Sequence, residues 1–198
     1  MHSTKRLWAV LGLTMLVSFA ILGWLGREIY LTKPPIPAEV RSASGEVLFT
    51  GEQIMTGQQV WQSIGGHQLG SIWGHGSYVA PDWTADWLHR EAMALLDARA
   101  GRLAGSDYDR LDASARAALQ AELQVEMRAN TLEPQSLVVT VSDERAAAIR
   151  EVAAHYDGVF SSDPAFSALR EQYAIQENPV PDPARRQALG AFVFWSSW

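Results

Sequence analysis

The sequence predicts a mainly α-helical protein with minor β structure: one N-terminal transmembrane helix and one extramembrane domain. Three observations carry this reading. Residues 7–25, LWAVLGLTMLVSFAILGWL, run for nineteen residues without a charge. Further on, several stretches repeat apolar residues at helical spacing, each opened by Asp, Ser or Thr in a capping position. Residues 137–141, LVVTV, are the clearest β-capable run in the chain.

The elements follow in order. Residues 1–6 form a short cytoplasmic N-terminus and residues 7–26 the membrane helix. At about 1.5 Å per residue the uncharged run makes a rod of roughly 29 Å, close to the hydrocarbon thickness of a bilayer. Trp8 at one end, and Trp24 and Tyr30 at the other, stand where amphipathic rings favour the interface. A cleaved signal peptide is the rival reading, because Lys5 and Arg6 precede the run. The run exceeds the usual apolar length of roughly 7–15 residues and no A-x-A-like site follows, so a retained anchor is favoured. Lys5 and Arg6 then keep the N-terminus inside and send the rest of the chain outside.

Residues 27–39 are read as a spacer stiffened by Pro34, Pro35 and Pro37. The extramembrane domain is set at 40–177. Within it, 40–50 form a small hairpin around a Gly-containing turn, and 52–64 a short helix entered or interrupted at Gly57. Residues 65–81 are irregular backbone, with Gly65, Gly66, Gly70, Gly74 and Gly76 among Trp73 and Tyr78. Asp82 or Thr84 caps a long helix to about Ala104, and Asp112 or Ser114 caps another over 112–130. Ser142 caps a helix to about Phe160, after the strand at 137–141, and 164–172 form a last short helix.

Residues 178–198 complete the chain as a Pro-rich linker, NPVPDP, and an apolar aromatic stretch ending AFVFWSSW. Asp182-Pro183 has the form of an N-cap followed by Pro at the first helical position. The stretch is too short to span a bilayer. By its residues alone it is either a terminal helix packed on the domain or the first turns of a second membrane helix.

Composition narrows the chemistry. Lys5 and Arg6 are the only charged residues before Gly26, so the remainder holds 14 basic and 22 acidic residues, a net of −8. That balance excludes a nucleic-acid-binding footprint. With no Cys, disulfides, thiol catalysis and thiolate metal sites are excluded too, although redox compartment stays open. No G-x-S-x-G, P-loop or G-x-G-x-x-G motif stands after a strand. The acidic pairs Asp107/Asp109 and Asp143/Glu144 sit at loops or helix starts, where capping and solvation account for them.

His67, His75 and His89 are the candidate metal ligands, with Asp82, Asp86 and Glu91 nearby. Their spacing matches no signature such as H-x-x-x-H, and imidazoles hydrogen-bonded to irregular backbone are the simpler reading. Trp61, Trp73, Trp83 and Trp87 fall within 27 residues around the Gly-rich loop. They are read first as large rings filling a small core, and second as a binding pocket.

The run GQQVWQSIGGHQLGSIWGHGSYVAPDWTADWLHREA, with the N-terminal anchor and the ENPVPDPARRQALGAFVFWSSW end, closely resembles the quinol-dependent nitric oxide reductases. These are single-chain bacterial membrane enzymes whose N-terminal part is a membrane helix and a haem-free domain of cytochrome c fold. The resemblance extends to the haem-bearing small subunit of the cytochrome-c-dependent relatives, with its pattern G-x-x-x-W-Q, C-x-x-C-H and G-x-G-G-Y-x-x-P-D. Gly57, Trp61, Gln62, Gly74, Gly76, Tyr78, Pro81 and Asp82 keep that pattern. The two thioether positions fall on Gly66 and Leu69 and the axial His on Gly70, so the covalent haem contacts are missing; His67 lies between the former cysteines.

The resemblance implies a cytochrome-c-like extramembrane domain lacking haem, on the periplasmic side of the bacterial inner membrane. The haem volume would be refilled by Trp and Leu. In the whole enzyme, two haems b, a non-haem iron and the quinol site belong to a helical bundle that follows this region. The implied partners are the lipid bilayer and that bundle, with quinol only through it. The resemblance also favours AFVFWSSW as the truncated start of the second membrane helix and makes the chain catalytically silent alone. The rival classes are a free-standing single-pass binding or assembly module, and a metal or haem-b site in the His/Trp loop.

Overall fold

A computed structural model describes residues 2–66, 68–74 and 76–198. The chain divides into two units, residues 1–35 and 36–198.

The first unit is helix α1, His2–Thr32. Its stretch Thr4–Thr32 has a mean hydropathy of 2.0 over its most apolar window and buries nothing within the protein. By length and composition it can cross a bilayer. The expected spacer therefore begins later than residue 27. The backbone stays helical through Gly26 because Arg27, Glu28 and the residues after them are ordinary helix formers, with Thr32 Oγ1 bonding back to the Glu28 carbonyl at 2.8 Å.

The second unit is mainly helical with a small sheet. Strands β1 (Glu39–Ser42) and β2 (Val47–Thr50) form the expected hairpin, antiparallel with Val40 opposite Phe49. The hairpin is not alone. β1 also pairs in parallel with β4 (Val138–Val141), from Glu39 opposite Val138 to Ser42 opposite Val141. A two-residue strand β3, Leu132–Glu133, completes the order β2-β1-β4-β3. β4 begins one residue later than its apolar run because Leu137 takes a left-handed φ of 55°, which belongs to a turn rather than a strand.

Helices pack around the sheet. Helix α2 spans Gly51–Ser63 and opens with a reciprocal capping box. The Gln53 amide donates to Thr50 Oγ1 at 3.3 Å, and the Thr50 amide to Gln53 Oε1 at 2.9 Å. Helices α3 (Trp83–Ala104), α4 (Ala113–Arg128) and α5 (Asp143–Val159) start on Asp82, Asp112 and Ser142, as their capping signals imply. α3 stops at Gly105, left-handed at φ 61°. α6 (Ser167–Gln172) follows a single 3-10 turn at Pro164–Phe166, and α7 runs Pro183–Ser197 from its Asp182 cap.

One sequence expectation changes here. α2 runs unbroken through Gly57. A Cβ at Gly57 would fall on the Ala188 carbonyl oxygen and the Phe192 Cβ of α7. Gly57 is thus the point where α2 and α7 cross backbone to backbone. The compact unit runs from Ile36 to Trp198. α7 buries Ala188, Leu189, Gly190, Ala191, Phe192, Val193, Phe194 and Ser196. Its apolar faces meet α2, α3 and α5, so residues that read as a membrane-directed stretch serve as core in this unit.

The main core gathers Val40, Ile54, Trp61, Trp83, Trp87, Val139, Ile149, Tyr156, Phe160 and the α7 residues. A buried ion pair ties α3 to α5 inside it: Arg145 Nε meets Glu91 Oε1 at 2.6 Å, and Trp87 Nε1 donates to Glu91 Oε2 at 2.9 Å. Leu96, Ala100, Tyr108 and Leu119 form a smaller cluster where α4 folds onto α3.

The crossing at Gly57 makes a paired prediction. Gly57→Ala is expected to lower unfolding stability by about 1–3 kcal/mol, because the overpacked atom is backbone. Gly101→Ala, also in a helix but with nothing within 4 Å of the added methyl, is expected to raise it by about 0.5–1 kcal/mol. Denaturant unfolding of the two variants beside the parent chain measures both, and equal effects would contradict the crossing.

Candidate functional site

The segment that carries the family resemblance is the loop from Ile64 to Asp82, between α2 and α3. Its described residues form one isolated parallel bridge, Ser71 with Asp82, and are otherwise turns and bends, so its shape depends on particular side chains. Asp82 supplies most of them. Ser71 Oγ donates to Asp82 Oδ2 at 2.6 Å and the Gly74 amide donates to the same oxygen at 2.6 Å. Asp82 Oδ1 accepts from the Thr84 hydroxyl and from the Ala85 amide, the latter at 3.0 Å. One carboxylate therefore clamps the loop with one oxygen and caps α3 with the other.

Ser71 extends the clamp. Its hydroxyl accepts from the Gly76 amide at 2.8 Å, its carbonyl accepts from the Trp83 amide at 2.9 Å, and its own amide donates to the Pro81 carbonyl at 3.3 Å. Burial works against the charge on Asp82. The hydrogen bonds from Ser71, Thr84 and the Gly74 and Ala85 amides outweigh it and hold the carboxyl at about 2.

Gly66 and Gly70, which the resemblance sets opposite a thioether position and the axial His, lie against indoles. Gly66 is buried, and a Cβ there would enter the Trp61 ring. Gly70 is buried with φ 132°, and a Cβ there would meet Trp83 Nε1 and the Pro81 carbonyl oxygen. Between them, the half-buried Leu69 offers its carbonyl to Trp83 Nε1 at 3.0 Å. Trp83 then packs against Trp61, Tyr156, Phe160 and Tyr173, with ring centroids 5.6 to 6.4 Å away.

A covalent haem does not fit these residues. The chain has no thiol to form a thioether, and the space beside Gly66 and Gly70 is held by Trp61 and Trp83.

The three candidate metal ligands fare differently. His67 and His75 lie outside the described residues. His89 is exposed on α3, beside an open cleft of about 460 Å³ between α3 and α5 that it shares with Arg90, Met93, Asp97, Glu151 and His155. Among the described residues no group of three or more His, Asp or Glu side chains is arranged to hold a metal. The carboxylates near His89 are committed elsewhere: Asp82 to the loop, Asp86 to Arg90 at 2.8 Å and the Tyr156 hydroxyl at 3.1 Å, and Glu91 to Arg145.

Two features had no sequence signal. Burial, and then the neighbouring Arg90 cation, depress the His155 pKa, while burial beside Asp86 pushes the Tyr156 phenol well up. Trp73 sits in the loop at φ 54° and donates its indole N–H to the Ser196 carbonyl of α7 at 2.5 Å. That contact joins positions 123 residues apart, which no local pattern encodes.

Two outcomes follow from this geometry. Because folding lowers the Asp82 carboxyl to about 2 from an unfolded-chain value near ~3.9, its stabilisation is complete above roughly pH 4. It is lost as pH falls through the folded value. Asp82→Ala is expected to cost about 1–2 kcal/mol at pH 7, and the two unfolding curves should converge toward pH 2. Separately, a chain carrying Gly66→Cys, Leu69→Cys and Gly70→His, produced with haem-attachment machinery, is expected to show no c-type absorbance. A stable c-type spectrum in that variant would mean that Trp61 and Trp83 do not hold the space.

Comparison with known proteins accords with these features. No curated protein sequence matches the chain. Residues 37–198 match the NorB cytochrome c-like domain of nitric oxide reductase, covering nearly all of the second unit. With a mainly helical fold, a small sheet and a match over residues 37–198, the chain belongs to the family of NorB cytochrome c-like domains of nitric oxide reductase.

Proposed function

We propose that this chain is the N-terminal anchor and periplasmic structural domain of a quinol-dependent nitric oxide reductase. The observation that carries the proposal is the pairing of the family match with an indole-packed haem-attachment loop. A NorB domain without thioether chemistry is suited to shape and coverage rather than to electron transfer. In the whole enzyme, quinol supplies electrons and nitric oxide is reduced to nitrous oxide on a membrane bundle holding two haems b and a non-haem iron. This domain reaches quinol only through that bundle.

Its role is to cover the periplasmic face of the bundle and to help shape quinol or proton access there. α1 sets the domain at the inner membrane, with Lys5 and Arg6 on the cytoplasmic side. The lipid bilayer and the bundle are its partners, and the chain by itself is catalytically silent.

The test is to express residues 1–198 alone and in the context of a complete NorB chain in a bacterial membrane. Nitric oxide consumption with a quinol donor is expected from the complete enzyme and absent from the chain alone. Turnover by the chain alone, or a complete enzyme that accepts electrons from reduced cytochrome c but not from quinol, overturns the reading.

A further inference from the structure

His155 of α5 stands between an aromatic contact and an open cleft. Its half-buried imidazole packs edge to face with Phe166, ring centroids 5.2 Å apart and planes at 72°. It also lines the cleft of about 460 Å³ between α3 and α5, together with His89, Arg90, Asp97 and Glu151. Phe166 belongs to the 3-10 turn Pro164–Phe166 that leads into α6. Its ring covers Gly158, where a Cβ would fall within it. A second tie to α5 is Arg170, whose guanidinium donates to the Gly158 carbonyl at 3.2 Å and to the Asp163 carbonyl at 2.7 Å. α6 has only six residues, too few to be stable without such contacts.

We propose that His155 is a charge-operated latch on the segment 161–175. The neutral imidazole holds Phe166, whereas the imidazolium swings into the cleft onto Glu151 and lets the segment loosen.

The groups around the ring set this direction. On the α3 side Arg90 repels the imidazolium and Asp86 attracts it, but Asp86 is already bound to Arg90 at 2.8 Å and to the Tyr156 hydroxyl at 3.1 Å. Asp97 accepts from the Tyr108 amide at 3.0 Å, and His89 is exposed. On the side of the 3-10 turn the partner is an uncharged ring. Of the charges in that segment, Arg170 is spent on backbone carbonyls, Asp163 Oδ1 accepts from the Ala165 amide at 2.9 Å, and Glu171 lines a separate cleft. On α5 itself Asp157 is paired with Arg186 at 2.7 Å. Burial, and then Arg90, disfavour the charged form where the ring stands.

Glu151 is the carboxylate left to receive it. It is exposed, lines the same cleft, and enters no ion pair among the described residues. It lies one turn before His155 on α5, and an acid four residues N-terminal to a cation is the favourable order on a helix. Above the ordinary imidazole value of ~6.5 the ring is neutral in either position and the latch is closed. As pH falls below that value, the outward position, wet and beside a carboxylate, takes up the proton before the inward one. The closed state then loses population.

The test is hydrogen exchange read by mass spectrometry on the chain with α1, in lipid nanodiscs, at about pH 7.5 and about pH 5, either side of the ordinary imidazole value. Labelling times are scaled for intrinsic exchange. In the parent chain, peptides over 161–175 are expected to lose protection at the lower pH, while those over β4 and the first turns of α5 keep it. His155→Phe keeps a ring on Phe166 and cannot charge, so its segment is expected to be equally protected at both values. His155→Lys, which loses the ring contact, is expected to show the loosened segment already at the higher pH. Glu151→Gln is expected to move the parent's transition to lower pH. Unchanged protection of 161–175 in the parent overturns the proposal, as does a pH response that survives in His155→Phe or a tight segment in His155→Lys. Loss of protection across the whole unit at the lower pH overturns it in favour of global unfolding. An unmoved transition in Glu151→Gln overturns the choice of outward partner.

Discussion

Trp83 is where the packing of the extramembrane domain converges. Its ring touches Trp61, Tyr156, Phe160 and Tyr173, its N–H satisfies the Leu69 carbonyl, and its backbone begins α3 on the Asp82 cap. The constraint behind this arrangement is density. Space left unfilled in a core costs about 2.4 kcal/mol per ~100 Å³, and beside Gly66 and Gly70 the space is held by Trp61 and Trp83. Indoles do this well because each buries roughly 150–250 Å² of largely apolar surface. The glycines at 66 and 70 are the other half of the solution, since a Cβ at either would enter the space these rings hold.

Filling the space with rings leaves polar backbone to be satisfied, and a few charged groups do so. Asp82 serves the loop and the helix with separate oxygens. Glu91 does the same deeper in the core, accepting from Trp87 and pairing with Arg145 across α3 and α5. A buried pair of this kind adds little net stability, but loss of one partner would strand the other charge, at a cost of about 3–5 kcal/mol. These carboxylates are therefore structural, and the same commitments remove them from any ligand set around His89.

The functional picture follows from what is filled and what is displayed. The loop from Ile64 to Asp82 is held by the bonds of Ser71 and Asp82, with Trp73 and Tyr78 exposed. With no cysteine, the chain cannot hold haem by thioether bonds. The family to which the chain belongs names the enzyme in which such a domain resides.

Much of the fold was legible in local patterns, because caps and periodicity are short-range. Asp82, Asp112, Ser142 and Asp182 each marked a helix start that the structure keeps. The uncharged run of residues 7–25 and the absence of cysteine fixed a helix able to cross a membrane and ruled out thioether haem without reference to coordinates. What only the tertiary structure decided depends on partners far apart in sequence. Gly57 reads as a helix weakness until α7 lies across it. That α7 packs its apolar residues on α2, α3 and α5 is likewise decided by distant partners. The parallel pairing of Ser42 with Val141 and the bond from Trp73 to Ser196 leave no trace in composition or spacing. Local propensity states what a segment can become, and the contacts that close the core decide what each residue is for.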